Sequence, residues 1–498
     1  MTENTPAIPE PDVSKENPVS EHWIWTGDHR PAVPRGLVEY MTKDWASVAP
    51  STDVHPAATF CATRRARIAE EFSGRTIVVA TGNYKVRAND TDYRFRAGTD
   101  FFYLTGCDEP DAVLVIAPSA TGPRSTLYIA DRRDQRTHEF FTDGRYGELW
   151  VGARRGVDES ATYYDIDTLP LEALEAGLDA LSTTEIVSVR GFDQKLDDYL
   201  EANKDDQVLA ATLSEHRLVK DDFEVAQLQL AVDHTVKGFE DVVRALPAAE
   251  GRGERVIEGV FHMRARVEGN DTGYDTIAAS GSNATVLHWT RNTGAVRKGD
   301  LLLLDAGVEC DNLYTADVTR TMPISGSYSP AQRRIYELVL AAQQAGIDVV
   351  KPGATFKAPH EAAMKVLAQG LFDLGILKEE PEVALRPESQ LHRRYTLHGT
   401  SHMLGLDVHD CANARDEMYR DGVLEEGYVL TVEPGLYFQS NDLTVPEEYR
   451  GIGVRIEDDI LVTADGARNL SARLPRGADE IEAWMAQLWS EASPNLGL

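Results

Sequence analysis

The sequence lacks several features that would define whole classes of protein. Its four cysteines form no C-x-x-C pair, which excludes a zinc knuckle and a disulfide framework and fits a reducing compartment. No apolar run approaches the ~18 residues that span a bilayer. The N-terminal stretch has neither a basic segment nor an apolar one. We therefore expect a soluble protein that stays in the cytoplasm.

Positive charge is also scarce. Lys and Arg together number 50 against 81 Asp and Glu, so the formal net charge is −31. Such a chain repels phosphate backbones, which excludes nucleic acid as an expected partner. The hydrophobic fraction of 42% and the charged fraction of 26% are ordinary for a globular protein, and 498 residues suffice for two or three domains.

The sequence pattern divides the chain into three segments. Residues 1–50 are predicted to be a polar extension, rich in Pro and Glu at its start. Residues 51–215 combine a helical pattern with short apolar runs that read as strands, which is typical of an α/β domain. Residues 216–498 repeat one order of elements, which indicates a duplication. The expected fold class is α+β.

The duplication lies in the third segment. In each half two helical patterns precede three strand candidates, at 276–289, 300–307 and 314–322 in the first half and at 395–409, 428–438 and 451–463 in the second. The first strand candidate of each half carries a histidine, and the next two each carry an acid. These residues are His288, Asp305 and Asp317 in the first half and His402, Glu433 and Glu457 in the second.

Acids on apolar strands indicate a metal site. An unpaired buried carboxylate is costly, so it must be protonated, paired with a cation or bound to a metal. Carboxylates with an occasional imidazole suit Mn²⁺, Co²⁺ or Zn²⁺. Because four carboxylates are neutralised by two divalent ions and not by one, we expect a two-metal site. Directly after Glu457 in the sequence, Asp458 and Asp459 are predicted to lie in an exposed acidic hairpin.

Several segments resemble one known family. DAG followed by DVTRT, HGTSHMLGLDVHD (398–410), TVEPGLY and YRGIGVRIEDD resemble the aminopeptidase P (Xaa-Pro aminopeptidase) family of pita-bread metallopeptidases. FRAGTDFFYLTGCDEPDAVLVI (95–116) resembles the family's N-terminal domain, and HRLVKDDFEVAQL (216–228) resembles its interdomain signature. The resemblance implies an N-terminal α/β domain followed by a pseudo-two-fold pita-bread catalytic domain over residues 216–498.

The resemblance also implies a set of metal ligands. Asp317 and Glu457 would bridge two ions, and the other three ligands would be Asp305, His402 and Glu433. The expected metal is Mn²⁺, with Co²⁺ and Zn²⁺ as alternatives. Asp305 and Asp317 are twelve residues apart, one more than is common in the family, and the loop ECDNLYTA is expected to absorb the extra residue.

The remaining roles that the resemblance implies concern the substrate. Glu433 would shuttle a proton during the reaction. His288 and His409 would donate hydrogen bonds to the substrate carbonyl. Three side chains would shape the pocket for proline, namely His398, Tyr437 and Arg455. Trp150 resembles part of a loop that reaches the active site of a neighbouring subunit, which implies a homo-oligomer, either a dimer or a tetramer.

The implied activity is metal-dependent removal of the N-terminal residue from peptides with proline at the second position. A metal-bridging hydroxide would attack the scissile carbonyl, and such peptides are the expected partners. Prolidase, which shares the ligands and fold but takes only Xaa-Pro dipeptides, is the main alternative. A non-catalytic binding protein on this fold is another, although the intact ligand positions favour an enzyme. Creatinase-type hydrolases, which lack metal, and methionine aminopeptidase fit less well.

Overall fold

The computed structural model of the chain describes residues 23–24, 33–46, 51–181 and 183–491. Most of the predicted polar extension, residues 1–50, lies outside the described residues. The helices are α1 (Arg35–Met41), α2 (Ala58–Glu71), α3 (Thr99–Thr105), α4 (Glu139–Thr142), α5 (Glu148–Val151), α6 (Val157–Tyr164), α7 (Leu174–Ala180), α8 (Gln194–Tyr199), α9 (Asp206–His216), α10 (Asp222–Ala249), α11 (Glu254–Glu268), α12 (Pro330–Asp348), α13 (Ala358–Asp373), α14 (Pro381–Ala384) and α15 (Ala478–Ser490).

The strands follow the same chain order. They are β1 (Trp23–Ile24), β2 (Val33–Pro34), β3 (Thr76–Ala80), β4 (Val86–Ala88), β5 (Thr91–Asp92), β6 (Val113–Ala117), β7 (Arg124–Ile129), β8 (Asp167–Pro170), β9 (Ile186–Val189), β10 (Asp271–Thr272), β11 (Ile277–Ser280), β12 (Leu301–Ala306), β13 (Val308–Glu309), β14 (Val318–Pro323), β15 (Val429–Val432), β16 (Gly435–Tyr437), β17 (Gly453–Arg455), β18 (Asp458–Thr463) and β19 (Gly466–Asn469).

The described residues form two compact units. The first unit draws on residues 1–96 and 107–185, and the second on residues 97–106 and 186–498. The short helix α3 therefore belongs to the second unit, although its sequence is surrounded by that of the first. The predicted domain boundary between residues 215 and 216 stays a prediction.

The first unit is built on a sheet in which β8, β7, β6 and β3 are neighbours in that order. Strands β3 and β6 run antiparallel, as do β6 and β7, whereas β7 and β8 are parallel. Strand β3 is buried along its whole length, which explains why its sequence, TIVVA, is apolar without alternation. Helix α2 supplies Cys61 and Ile68 to the core.

The second unit repeats one arrangement. Helices α10 and α11 pack together and precede the sheet β11-β12-β14, and helices α12 and α13 pack together and precede the sheet β15-β18-β19. Both long helices begin with a capping box, Asp221 with Glu224 in α10 and Ser329 with Gln332 in α12. The predicted duplication is therefore confirmed, and so is the α+β class with a pseudo-two-fold pita-bread domain.

Two predicted strands are wrong over most of their length. The segment 276–289 is a strand only over Ile277–Ser280, and a short 3-10 helix and a loop follow it. The segment 395–409 contains only a single bridge, from Met403 to Leu430. Two backbone N–H groups in the second segment donate to side chains, His402 to the Thr431 hydroxyl at 3.1 Å and Met403 to the Tyr419 hydroxyl at 2.8 Å. The two histidines predicted on these strands therefore lie in loops.

The predicted exposed hairpin at Asp458 and Asp459 is wrong, because both side chains are fully buried. Arg320, also buried, donates to Asp458 Oδ1 at 2.7 Å and to the carbonyls of Thr319 and Glu457 at 2.9 and 2.7 Å. This guanidinium neutralises Asp458 and joins β14 of the first half to β18 of the second. The acids are part of the core between the two halves, where a local sequence pattern predicts a turn.

Two further sequence expectations concern membrane-spanning helices and cysteines. None of the helices within the described ranges is long and apolar enough to cross a membrane. The four cysteines all fall in those ranges, where their side chains are buried thiols.

Candidate metal centre

The five predicted ligands line one cavity of about 940 Å³ in the second unit. Four of them are acids at the ends of strands. Asp305 lies in β12, Asp317 directly before β14, Glu433 directly after β15 and Glu457 directly before β18. Because β14 and β18 come from opposite halves, the duplication brings two acids from each half to the same cavity. The fifth ligand, His402, comes from the loop that precedes β15.

The hydroxyl of Tyr274 brings the first two acids together. It lies 2.7 Å from Asp305 Oδ1 and 2.5 Å from Asp317 Oδ1. The twelve-residue spacing is accommodated by a turn between these acids, in which Leu313 adopts a left-handed conformation with φ of 63°. The N–H of Leu313 bonds to the carbonyl of Cys310 at 2.8 Å and closes the turn. Both carboxylates therefore contact one hydroxyl, and absorption of an extra residue by this turn stays a prediction.

Asp317, His402 and Glu457 form the tightest cluster. One ligand atom from each lies within 4.8 Å of the others. His402 Nε2 is 3.2 Å from Asp317 Oδ2 and 3.7 Å from Glu433 Oε1. Glu457 Oε2 accepts from the Thr319 hydroxyl at 2.6 Å, whereas Glu457 Oε1 is buried without a hydrogen-bond partner. An orphaned carboxylate oxygen facing other ligand atoms fits a divalent cation.

Burial shifts the protonation of these groups. It raises the pKa of Glu457 well above its usual range, with Asp317 and Glu433 adding to the rise. Burial likewise raises the pKa of Glu433 to about 8, against the attraction of His402 and Arg455. Burial alone would lower the pKa of His402, but Asp317 and Glu433 raise it to about 9. Without metal, the cluster therefore holds protons at neutral pH.

This protonation makes metal binding dependent on pH. Glu433, Glu457 and His402 must each lose a proton before they can ligate an ion, so acid weakens binding. We expect the affinity for Mn²⁺ to rise between pH 6 and pH 9, with release of about two to three protons per chain at pH 7. Calorimetric titrations in buffers of different ionisation enthalpy measure that release. Binding without proton release, at an affinity independent of pH, would contradict this expectation.

Asp459 lies directly behind the cluster. Its Oδ2 accepts from the backbone N–H of Asp317 at 3.1 Å, and its Oδ1 is buried without a partner. Burial raises the pKa of Asp459 well above its usual range, and the charge of Asp317 adds to this. Asp459 thus fixes the backbone from which Asp317 projects.

The three residues predicted to shape a proline pocket form a chain of hydrogen bonds. His398 Nε2 lies 2.8 Å from the Tyr437 hydroxyl, which accepts from Arg455 Nη1 at 3.0 Å. Arg455 continues to Asp305 through an ion pair and to Thr319 Oγ1 at 3.2 Å. Burial lowers the pKa of His398 to about 3, and the charge of Arg455 contributes. Arg455 therefore also places a positive charge beside Asp305, one of the predicted metal ligands.

The other predicted substrate residues differ in their location. His288 and His409 both line the cavity. The ring of His409 packs edge-on against that of His402, with centroids 4.4 Å apart, and enclosure lowers its pKa. Trp150 belongs to the first unit, where its side chain is 56% exposed and its Nε1 donates to the Phe141 carbonyl at 2.9 Å.

Sequence reasoning missed several residues of the site. Tyr274 lines the cavity and bonds to two predicted ligands, and the buried Thr319 bonds to a third, but isolated Tyr and Thr residues carry no signal of such a role. His360, on α13, also lines the cavity, and its Nδ1 lies 2.9 Å from the Thr400 hydroxyl. A lone histidine on an amphipathic helix predicts nothing by itself. These residues become recognisable only where the fold brings distant segments of both halves together.

The duplicated fold and the cavity together define a class of protein. Buried carboxylates and an imidazole converge on one cavity large enough for a peptide, as in metal-dependent hydrolases. The model of metallopeptidase family M24 matches residues 226–464, and the model of the aminopeptidase P N-terminal domain matches residues 61–189.

Individual relatives match over almost the whole chain. Xaa-Pro aminopeptidase 1 of Streptomyces coelicolor is 52% identical over 494 residues, which are 98% of this chain and 99% of the relative. Xaa-Pro aminopeptidase of Escherichia coli is 34% identical over 85% of this chain and 96% of its own. The structure of E. coli aminopeptidase P with the inhibitor Pro-Leu superposes with a TM-score of 0.79 at 31% identity, covering 88% of this chain and 100% of that one. The chain belongs to the aminopeptidase P group of metallopeptidase family M24.

Proposed function

We propose that this chain removes the N-terminal residue from peptides with proline at the second position, in a reaction that depends on divalent metal. The observation that carries the proposal is the convergence of Asp317, His402 and Glu457 in the cavity of an M24 chain. Relatives that match nearly end to end are Xaa-Pro aminopeptidases, so prolidase is not favoured. A non-catalytic role is not favoured either, because all five ligand positions are retained.

Two ions would occupy the cluster. Asp317 and Glu457 would bridge them, Asp305 would bind one, and His402 with Glu433 would bind the other. The four carboxylates that line the cavity support this count. Arg455 offsets one of their charges, and a single divalent ion would still leave negative charge unbalanced. Mn²⁺ is the metal that we propose, with Co²⁺ and Zn²⁺ as alternatives. A Zn-substituted form of the E. coli enzyme in complex with product is among the similar structures.

The bound ions would supply an activated water and would polarise the scissile carbonyl. Glu433 would take a proton from that water. Its place in the cavity supports this role, with Oε2 3.5 Å from His398 Nδ1 and Oε1 3.7 Å from His402 Nε2. It would pass that proton to the leaving nitrogen of proline. His288 and His409 would donate hydrogen bonds to the carbonyl oxygen as charge develops there. The nitrogen of the scissile bond belongs to proline and carries no N–H, so the site needs no acceptor for one.

Further proposals concern specificity and assembly. His398, Tyr437 and Arg455 would shape the wall that meets proline, and their hydrogen-bond chain supports a rigid wall. Trp150 would contact a neighbouring subunit in a homodimer or homotetramer, a role that its exposed position in the first unit permits. We also propose a cytoplasmic location, which the four buried cysteine thiols favour.

Two substrates and a chelator test the activity. We expect metal-loaded protein to release the first residue from an Xaa-Pro-Yaa tripeptide, and to lose that activity when a chelator removes the metal. An Xaa-Ala-Yaa tripeptide of the same length is the matched control and should remain uncleaved. Cleavage of an Xaa-Pro dipeptide with no cleavage of the tripeptide would instead make the protein a prolidase.

A further inference from the structure

The carboxylate of Glu254 is buried away from the metal cluster and anchors one loop. Glu254 is the first residue of α11 and is fully inaccessible to solvent. It accepts four hydrogen bonds, all from a single segment of the chain, over distances of 2.5 to 2.8 Å. The donors are the backbone N–H groups of Ser280 and Gly294 and the side chains of Asn283 and Trp289.

These donors define the segment 280–294, which we call the histidine loop because it carries His288. Glu254 holds the loop at its first residue and its last, and the N–H of Glu254 also donates to the Gly294 carbonyl at 3.0 Å. The side chain of Asn292 ties the end of the loop to β11, since its Oδ1 accepts from Ala278 N–H at 3.0 Å. The loop, which is irregular beyond the short 3-10 helix at Gly281–Thr285, is thereby held by side-chain bonds at its base.

The most informative donor is the indole of Trp289. Its Nε1 lies 2.7 Å from Glu254 Oε2, and it directly follows His288 in the chain. The exposed side chain of His288 lines the catalytic cavity, as do those of Leu287 and Thr290. The residue that anchors the loop and the residue that lines the cavity are therefore adjacent, so a change in the position of the indole should also change that of the imidazole.

We infer that Glu254 positions His288 for catalysis through the Trp289 anchor and the closed base of the histidine loop. The inference rests on the proposed function, in which His288 donates a hydrogen bond to the substrate carbonyl. A donor that is preorganised stabilises the transition state more than one that must be ordered at each turnover. Glu254 does not line the cavity, so it acts as a positioning residue.

The Glu254→Gln variant tests this role with little change in shape. One of its two terminal atoms becomes an NH₂ group, which cannot accept the hydrogen bonds that the oxygen accepted. We expect kcat/KM for Xaa-Pro-Yaa to fall by roughly 10²-fold, because a misplacement of about 1 Å costs that much. The content of bound metal should be unchanged, since Glu254 contacts none of the proposed ligands.

A double-mutant cycle separates positioning from general destabilisation. If Glu254 acts through His288, then Glu254→Gln should cost little further activity in a His288→Ala background. Losses that multiply in the double variant would overturn the inference, and so would a His288→Ala variant with full activity. Neither result would affect the proposed function itself, which fails only if the unmodified protein does not cleave Xaa-Pro-Yaa.

A milder pair of variants covers the case in which Glu254→Gln does not fold. Trp289→Phe keeps an aromatic ring and removes one donor to Glu254. Trp489→Phe is its matched control, because that indole also donates one hydrogen bond at 2.7 Å, to the Val243 carbonyl on a distant helix. We expect only Trp289→Phe to lower kcat and to speed amide hydrogen exchange at Gly294 in the metal-free protein. Equal effects of the two variants, or unchanged exchange in the histidine loop, would overturn the inference.

Discussion

Asp317→Ala should abolish turnover. Its carboxylate lies at the centre of the cluster, 2.5 Å from the Tyr274 hydroxyl and 3.2 Å from His402 Nε2, in the position that we propose to bridge two ions. Metal ions supply several kcal/mol of transition-state stabilisation, so their loss should lower kcat/KM by at least about 10³-fold. Turnover on an Xaa-Pro-Yaa tripeptide measures this effect directly.

The effect should come from lost metal and not from lost folding. In the metal-free protein Asp317 repels the neighbouring carboxylates but attracts protonated His402, so its removal relieves one interaction and loses another. We therefore expect the Tm of metal-free Asp317→Ala to match that of the parent, while the rise in Tm on adding Mn²⁺ disappears. Asp311→Ala is the matched control, because it removes an exposed acid from the same turn. Full turnover in Asp317→Ala would rule out the bridging role.

Glu433→Gln should stop the reaction at the proton transfer. The amide keeps the size of the side chain and the backbone bond from its N–H to the Thr400 carbonyl at 2.8 Å, but it cannot take a proton. General acid–base catalysis contributes roughly 10²- to 10⁴-fold, so kcat should fall by that factor. We expect KM to change much less, because the proposed contacts to the substrate come from other residues.

A second glutamate provides the control for this variant. Glu426 is exposed just before β15, the same strand that Glu433 follows, and Glu426→Gln should leave kcat unchanged. Metal analysis must accompany the kinetics, because Glu433 is also a proposed ligand. A Glu433→Gln protein that retains its kcat would exclude Glu433 as the proton shuttle.

The sequence predicted the duplication well because its signal is local and repeated. Helical periodicity and the run LLLLDAG indicate α10 and β12 from neighbouring residues alone. The acidic residues among the predicted ligands have an equally local signal, because a charged residue inside an apolar run is unusual. Where two halves repeat the pattern, each supports the interpretation of the other, and the structure brings both sets of acids to one cavity.

The errors arise where distant partners decide the outcome. Two adjacent aspartates are typical of an exposed turn, so the sequence predicts one at Asp458 and Asp459. Arg320, which neutralises Asp458 in the core, is 138 residues away and is invisible to a local pattern. The ion pair of Arg455 with Asp305 spans 150 residues, so the sequence could not indicate that a predicted pocket residue also balances a metal ligand. The loop that carries His288 resembles a strand until the hydrogen bonds to Glu254 are seen.

The measurement that tests the central claim most directly is a titration of metal-free protein with Mn²⁺, with bound metal and cleavage of Xaa-Pro-Yaa measured in the same samples. The account predicts no cleavage without metal and full activity when two ions are bound per chain. Full activity in chelated protein, or activity that is complete at one ion per chain, would contradict it.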